Sequence, residues 1–157
     1  MAPVEWALIH GRRTVGVTTM LMDEGGDTGP MLAHSAVEVN PIEVAGELLG
    51  RLARTGGELL LETLAGLEAG TIHPVPQPEA GVSYAPRLEK EHGYLDLSRP
   101  AAQVANQFRG VTPAPGARMF LGDEALLVSA LRDVPGVSGT PYTVLEVGQR
   151  HLRVAAA

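Results

Sequence analysis

The chain has 157 residues and an apolar fraction of 45%, enough for one domain or two small ones with a core to bury. It has no cysteine, which excludes disulfides, a thiolate nucleophile and a cysteine-based metal site, and no stretch approaches the ~18 consecutive apolar residues of a membrane span. The net charge of −6 is uneven: residues 1–80 carry four basic side chains against eleven acidic, and residues 81–157 carry eight against seven, so any contact with nucleic acid is expected in the second half. With Glu5 where a signal peptide would be basic or apolar, the protein reads as soluble and cytoplasmic.

The segment from Ala2 to His10 reads as a short helix, with Pro3 in its first turn and Gly11 after its end. Val15, Val17, Thr19 and Leu21 alternate with Gly16, Thr18, Met20 and Met22 in a β-rich strand. A second strand, Met31 to Val39, completes a hairpin around a wide turn, Asp23 to Pro30. Asn40-Pro41-Ile42-Glu43 has the N-cap, N1 proline and N3 glutamate of a helix start. Val44, Ala45, Leu48, Leu49, Leu52, Leu59, Leu60 and Leu64 then form an apolar stripe running to about Ala69, with Gly70 as the stop and Gly56-Gly57 as a point of kinking.

The alternating prolines of residues 73–86 mark a linker, and the domain boundary is placed there. Beyond it, Ser98 is expected to cap a helix from Arg99 to Arg109 that Gly110 closes. The runs Ala117–Leu121, Ala125–Val134, Tyr142–Val147 and His151–Ala155 then read as a meander of short strands.

The turn between the first two strands holds Gly25, Gly26 and Gly29, which allow positive φ and let a planar ligand approach the backbone. By residue pattern alone it is also an ordinary acidic turn in which Asp27 bonds its own downstream amides. The wider agreement of the chain with a known family decides between the two. The stretch from Thr14 through Asp27-Thr28-Gly29 to Leu32 resembles the signature of the 10-formyltetrahydrofolate-dependent formyltransferases, the methionyl-tRNA formyltransferase family in particular. Further landmarks follow in the family's order: Ala2-Pro3-Val4-Glu5-Trp6-Ala7, Ala45-Gly46-Glu47-Leu48, Tyr84-Ala85-Pro86-Arg87-Leu88, Asp96 to Pro100, Arg109-Gly110 and Pro115-Gly116-Ala117. The chain departs from the pattern at Gly26, where a bulky apolar residue is usual, at Leu97, where an aromatic is common, and at Ala114, where tryptophan is usual.

The resemblance implies an α/β plus β architecture: residues 1–73 as the end of a Rossmann-like formyltransferase domain, 74–86 as linker, and 87–157 as an incomplete OB-like barrel domain. It implies transfer of a formyl group from 10-formyltetrahydrofolate to the amino group of methionyl initiator tRNA. Asp27 is the aspartate of an Asn/His/Asp catalytic trio, and the family's upstream Asn-x-His-Ser-Leu-Leu-Pro element lies outside the chain, so the chain by itself is expected to be inactive. Met22, Asp23, Gly25, Gly26 and Thr28 are expected to meet the folate, and Arg87 and Lys90 the tRNA phosphates, with Arg109 and Arg118 as alternatives. No metal, membrane or DNA is expected, and the full-length form is expected to be a monomer. Two other readings stay open: a sugar-nucleotide formyltransferase of the same superfamily, and a non-catalytic tRNA-binding module.

Overall fold

The computed structural model describes all 157 residues and divides them into two compact units. One contains residues 13–40 and 47–84; the other contains 1–12, 41–46 and 85–157.

In the first of these units, β1 (Thr14–Met20) and β2 (Met31–Glu38) pair antiparallel, with Thr14 opposite Glu38 and a register shift after Thr19 that places Met20 opposite Met31. The helix α2 (Ala45–Glu68) buries Leu48, Leu52, Leu59 and Thr63, a spacing of four, seven and four residues that keeps them on one face. Thr63 is fully enclosed without cost to its hydroxyl, which donates to the Leu59 carbonyl at 2.6 Å and lies 2.9 Å from the Thr19 hydroxyl. Leu49, Leu60 and Leu64, expected on the same stripe, lie instead on a second, exposed face. The helix passes through Gly56-Gly57 without a break, because the leucines buried on both sides of the pair outweigh about 1 kcal/mol of lost propensity at each glycine. It ends as expected at Gly70, whose φ of 69° lets its N–H bond the Leu67 carbonyl while Thr71 bonds that of Gly66. Beyond it, Val75 exchanges two backbone hydrogen bonds with Met31, tying the start of the proline-rich stretch to the hairpin.

The start of α2 differs from the expectation. Pro41 and Ile42 form a turn and the helix begins at Ala45, since the Glu43 side chain is buried instead of serving as an exposed N3 residue. The Gly46 N–H, one of the donors a helix start leaves over, bonds the Thr112 carbonyl at 3.2 Å, so a distant piece of chain satisfies it.

In the second unit, α1 (Pro3–Ile9) packs on α3 (Ala101–Val111), and Leu95, Leu97, Val104, Phe108, Val111 and Ala117 form the core. Gly110, expected as a helix stop, lies inside α3 and is buried. A Cβ there would sit 2.6 Å from the Glu5 carbonyl oxygen and 2.5 Å from Ile9 Cγ1, so this glycine sets how closely the two helices approach. Ser98 does not cap α3 either: its N–H and hydroxyl both bond Asp96, and the N-cap position falls to Pro100. The expected strand meander forms as two separate hairpins, β3 (Arg118–Leu121) with β4 (Glu124–Leu127) and β5 (Val144–Val147) with β6 (Leu152–Val154). The run expected to continue to Val134 leaves the ladder after Leu127, because β3 offers only four partners. No helix is long and apolar enough to cross a membrane.

Candidate active-site turn

The turn from Asp23 to Pro30 is built by its own side chains. Asp23, and not Asp27, plays the Asx role: its carboxylate accepts from the Gly25 N–H at 3.1 Å and from the Thr28 hydroxyl at 2.8 and 2.9 Å. The Gly26 N–H bonds the Asp23 carbonyl at 3.1 Å, and Gly26 takes a φ of 84° that an L side chain rarely adopts. At Gly29 the requirement is space, because an added Cβ would overlap the Leu21 carbonyl oxygen. These bonds leave the Asp27 side chain exposed at the far end of the turn. Nothing stands within 4 Å of a Cβ built on Gly26, so the backbone beside Asp27 is open to a flat ligand.

Of the residues expected to meet folate, Asp23, Gly25, Gly26 and Thr28 therefore lie together with Asp27 in one turn, and Met22 beside them is 87% exposed. Asp23 and Thr28 spend their polar atoms on each other, so what they present outward is mainly backbone shape.

Sequence reasoning missed Gln77. From within the proline-rich stretch its side-chain amide donates to the carbonyls of Asp27 and Gly29, each at 2.8 Å, and so holds the turn from outside. No signal in the sequence marks it, since it is a lone glutamine between prolines. Gln77→Ala is expected to remove two hydrogen bonds worth about 0.5–1.5 kcal/mol each and to speed amide exchange in residues 25–29 on the order of tenfold. Exchange rates unchanged in that variant would show that the turn holds itself.

The basic residues belong to the other unit. Arg87 and Lys90 are exposed, Lys90 on a 3₁₀ turn from Lys90 to Gly93. Arg109 and Arg118, the alternatives, are tied into the fold. Arg109 donates to Asn106 Oδ1 at 2.6 Å, and burial lowers its pKa from the usual arginine range, opposed by the charges of Glu43 and Asp133. Arg118 donates through Nη1 to the carbonyls of Pro115 and Gly116 at 2.9 and 3.2 Å. No group of three or more His, Asp or Glu side chains is placed to hold a metal ion.

Two family models match the chain: formyl transferase over residues 1–64 and formyl transferase, C-terminal domain, over residues 87–157. Among curated relatives, methionyl-tRNA formyltransferase of Myxococcus xanthus is 43% identical over 98% of this chain and 49% of its own length. That of Pelobacter propionicus is 47% identical over 92% of this chain and 45% of its own. The chain thus spans about half the length of the curated relatives it matches. Among solved structures, the N-formyltransferase from Helicobacter canadensis, in complex with folinic acid and dTDP-3-aminofucose, superposes with a TM-score of 0.78 at 16% identity over 99% of this chain and 57% of that one. HypX from Aquifex aeolicus does so with a TM-score of 0.75 at 22% identity, over 99% and 28% respectively. These two likenesses show a shared fold, and with the family matches and the curated relatives they establish that this chain belongs to the formyltransferase family.

Proposed function

We propose that this chain is the part of a methionyl-tRNA formyltransferase that carries the catalytic aspartate, and that its whole protein passes the formyl group of 10-formyltetrahydrofolate to the amino group of methionyl initiator tRNA in the cytoplasm. The observation that carries this is an Asp-Thr-Gly turn holding Asp27 exposed beside open backbone, in a chain more than 40% identical over nearly its whole length to methionyl-tRNA formyltransferases. The likeness to an N-formyltransferase crystallised with a nucleotide sugar rests on 16% identity, which favours the tRNA reading over the sugar-nucleotide one.

The donor, when bound, supplies an activated acyl carbon, and attack by an amine on it builds negative charge on oxygen that only hydrogen-bond donors can stabilise. A carboxylate has none to give. Asp27 therefore acts on the positive side of the reaction: it orients and charge-matches a histidine, or accepts the proton that the attacking amine must lose. Met22 and the backbone of Asp23, Gly25, Gly26 and Thr28 offer an open edge against which a flat pterin fits, with Gly26 free of any side chain that would block it. In this reading residues 1–73 end a Rossmann-like catalytic domain, 74–86 link it to an OB-like domain of residues 87–157, and Arg87 and Lys90 face tRNA phosphate. The complete protein is a monomer.

The test is formylation of methionyl initiator tRNA by this chain alone and by the chain completed to relatives' length with the N-terminal half of the Myxococcus xanthus protein. Activity at background in the first and restored in the second is expected. Transfer by the short chain, abolished by Asp27→Ala, would overturn the view that Asp27 works only as one member of a larger device.

A further inference from the structure

A second candidate site lies in the C-terminal unit. Tyr94 and Phe120 stack with ring centroids 5.1 Å apart and planes within 7° of parallel. The pairing follows from the backbone: the Leu95 N–H bonds the Arg118 carbonyl at 2.8 Å, which sets Tyr94 alongside the start of β3 and brings its ring beside that of Phe120. A buried stack would be core packing, but Phe120 is 57% exposed. Both rings line a cleft of about 290 Å³ whose other walls include Asp96, Arg118 and Tyr142. That volume is at the lower limit of small-ligand pockets and suits one planar ring system.

Tyr142 closes this cleft at a conformational cost. It is the one non-glycine residue with a positive φ, 66°, a region that bulky side chains seldom enter. Two bonds hold it there: its N–H donates to the Ala155 carbonyl at 3.0 Å, and its hydroxyl donates to Asp96 Oδ1 at 3.1 Å. The ring is nevertheless 58% exposed, so hydrophobic burial does not account for the strained backbone. Hydrogen bonds from the Ser98 hydroxyl and N–H, with smaller help from Tyr142 and Arg99, lower the Asp96 pKa from the usual carboxylate value against a small opposing effect of desolvation. Arg99, bonded to Asp96 at 3.0 Å through Nε, and Arg118 bring positive charge to the same rim.

We infer that the cleft between Phe120 and Tyr142 receives an unpaired nucleobase of an RNA strand, stacked on the outer face of Phe120. A nucleotide presents the three chemistries that this wall offers partners for. Its flat π face meets the exposed aromatic rings, its amino edge meets the Asp96 carboxylate, and its phosphates meet Arg99, whose side chain is half-exposed. The site also lies in the half of the chain where basic and acidic residues balance, whereas the first half is strongly acidic. The inference rests on the proposed RNA substrate and deepens it, adding to phosphate contacts at Arg87 and Lys90 a site that reads bases.

The probe is a fluorescein-labelled single-stranded hexaribonucleotide of mixed sequence, titrated with the 157-residue chain and followed by fluorescence anisotropy. An abasic hexamer and free mononucleotides serve as competitors. Phe120→Ala and Phe120→Leu are each expected to weaken binding about tenfold, the loss of one base–aromatic stack, while Phe120→Trp stays within about twofold of the parent. The leucine variant keeps the apolar contact with Tyr94, and far-UV circular dichroism checks that β3 is retained. The abasic hexamer is expected to compete about tenfold less well than the intact one. Equal binding by the parent and Phe120→Leu would overturn the cleft and leave the RNA substrate standing. Mononucleotides that compete as well as the hexamer would overturn it in favour of a small-nucleotide pocket. A parent chain that binds neither the hexamer nor initiator tRNA would overturn the site and count against the RNA substrate as well.

Discussion

Asp27→Asn, introduced into the chain completed to the length of its relatives, is expected to lower turnover by about 10²- to 10⁴-fold, with a much smaller change in the Michaelis constant for folate. Asparagine keeps the shape of the side chain, and the turn does not lean on the carboxylate, since Asp23 supplies the bonds that hold Gly25 and Thr28. The substitution therefore removes the charge and the proton acceptor while leaving the surface offered to the pterin in place. An interaction made with the amine or with a histidine counts only as charge develops, so its loss falls on the chemical step. Steady-state kinetics on the completed protein decide the matter: an effect confined to the Michaelis constant would make Asp27 a ligand-binding residue and not a catalytic one. The parallel variant Asp23→Asn should behave differently, weakening folate binding through a loosened turn.

Gly110→Ala is expected to cost about 1–3 kcal/mol of stability, although alanine is the better helix former by about 1 kcal/mol. The sign is set by what the new methyl group meets. Two of its nearest neighbours are main-chain atoms of α1, the Glu5 carbonyl oxygen at 2.6 Å and the Ile9 nitrogen at 3.2 Å, which cannot rotate away as a side chain can. The helices must separate, and the buried contacts of Leu8, Val111 and Phe108 loosen with them. Urea unfolding of the C-terminal unit should show a lower midpoint with the slope preserved. A midpoint that rises would mean that α1 shifts at no cost and that propensity wins. Gly57→Ala is the matched control: nothing lies within 4 Å of its added Cβ, so propensity alone should act and stability should increase.

Much of the hairpin and the long helix was legible in the sequence, because both are local. Alternating β-branched residues specify β1, the glycines and acidic residues of Asp23 to Pro30 specify a turn, and Gly70 stops α2 through a φ that only its immediate neighbours require. The motif around Asp27 marks it as the candidate catalytic residue. The motif did not show which aspartate of the turn would hold it together; the folded turn gives Asp23 the structural bonds and leaves Asp27 exposed.

Where the reading departed from the structure, a distant partner decided the outcome. Glu43 reads as an exposed N3 residue by pattern, but it is buried, and the carbonyl that accepts a first-turn N–H of α2 belongs to Thr112. Gly110 reads as a stop, yet the close approach of α1 turns it into a packing residue within α3. Leu48 and Leu49 are neighbours in one apolar run, and only the folded chain buries the first and exposes the second. Local chemistry, carried by a few contiguous residues, determined the strands, the turn, the end of the helix and the family signature. The grip of Gln77 on the turn and the pairing of Tyr94 with Phe120 join chain segments 26 to 50 residues apart, and the burial of individual leucines likewise waits on packing. Those contacts exist only once the chain has closed on itself, and for that reason the tertiary structure alone decided them.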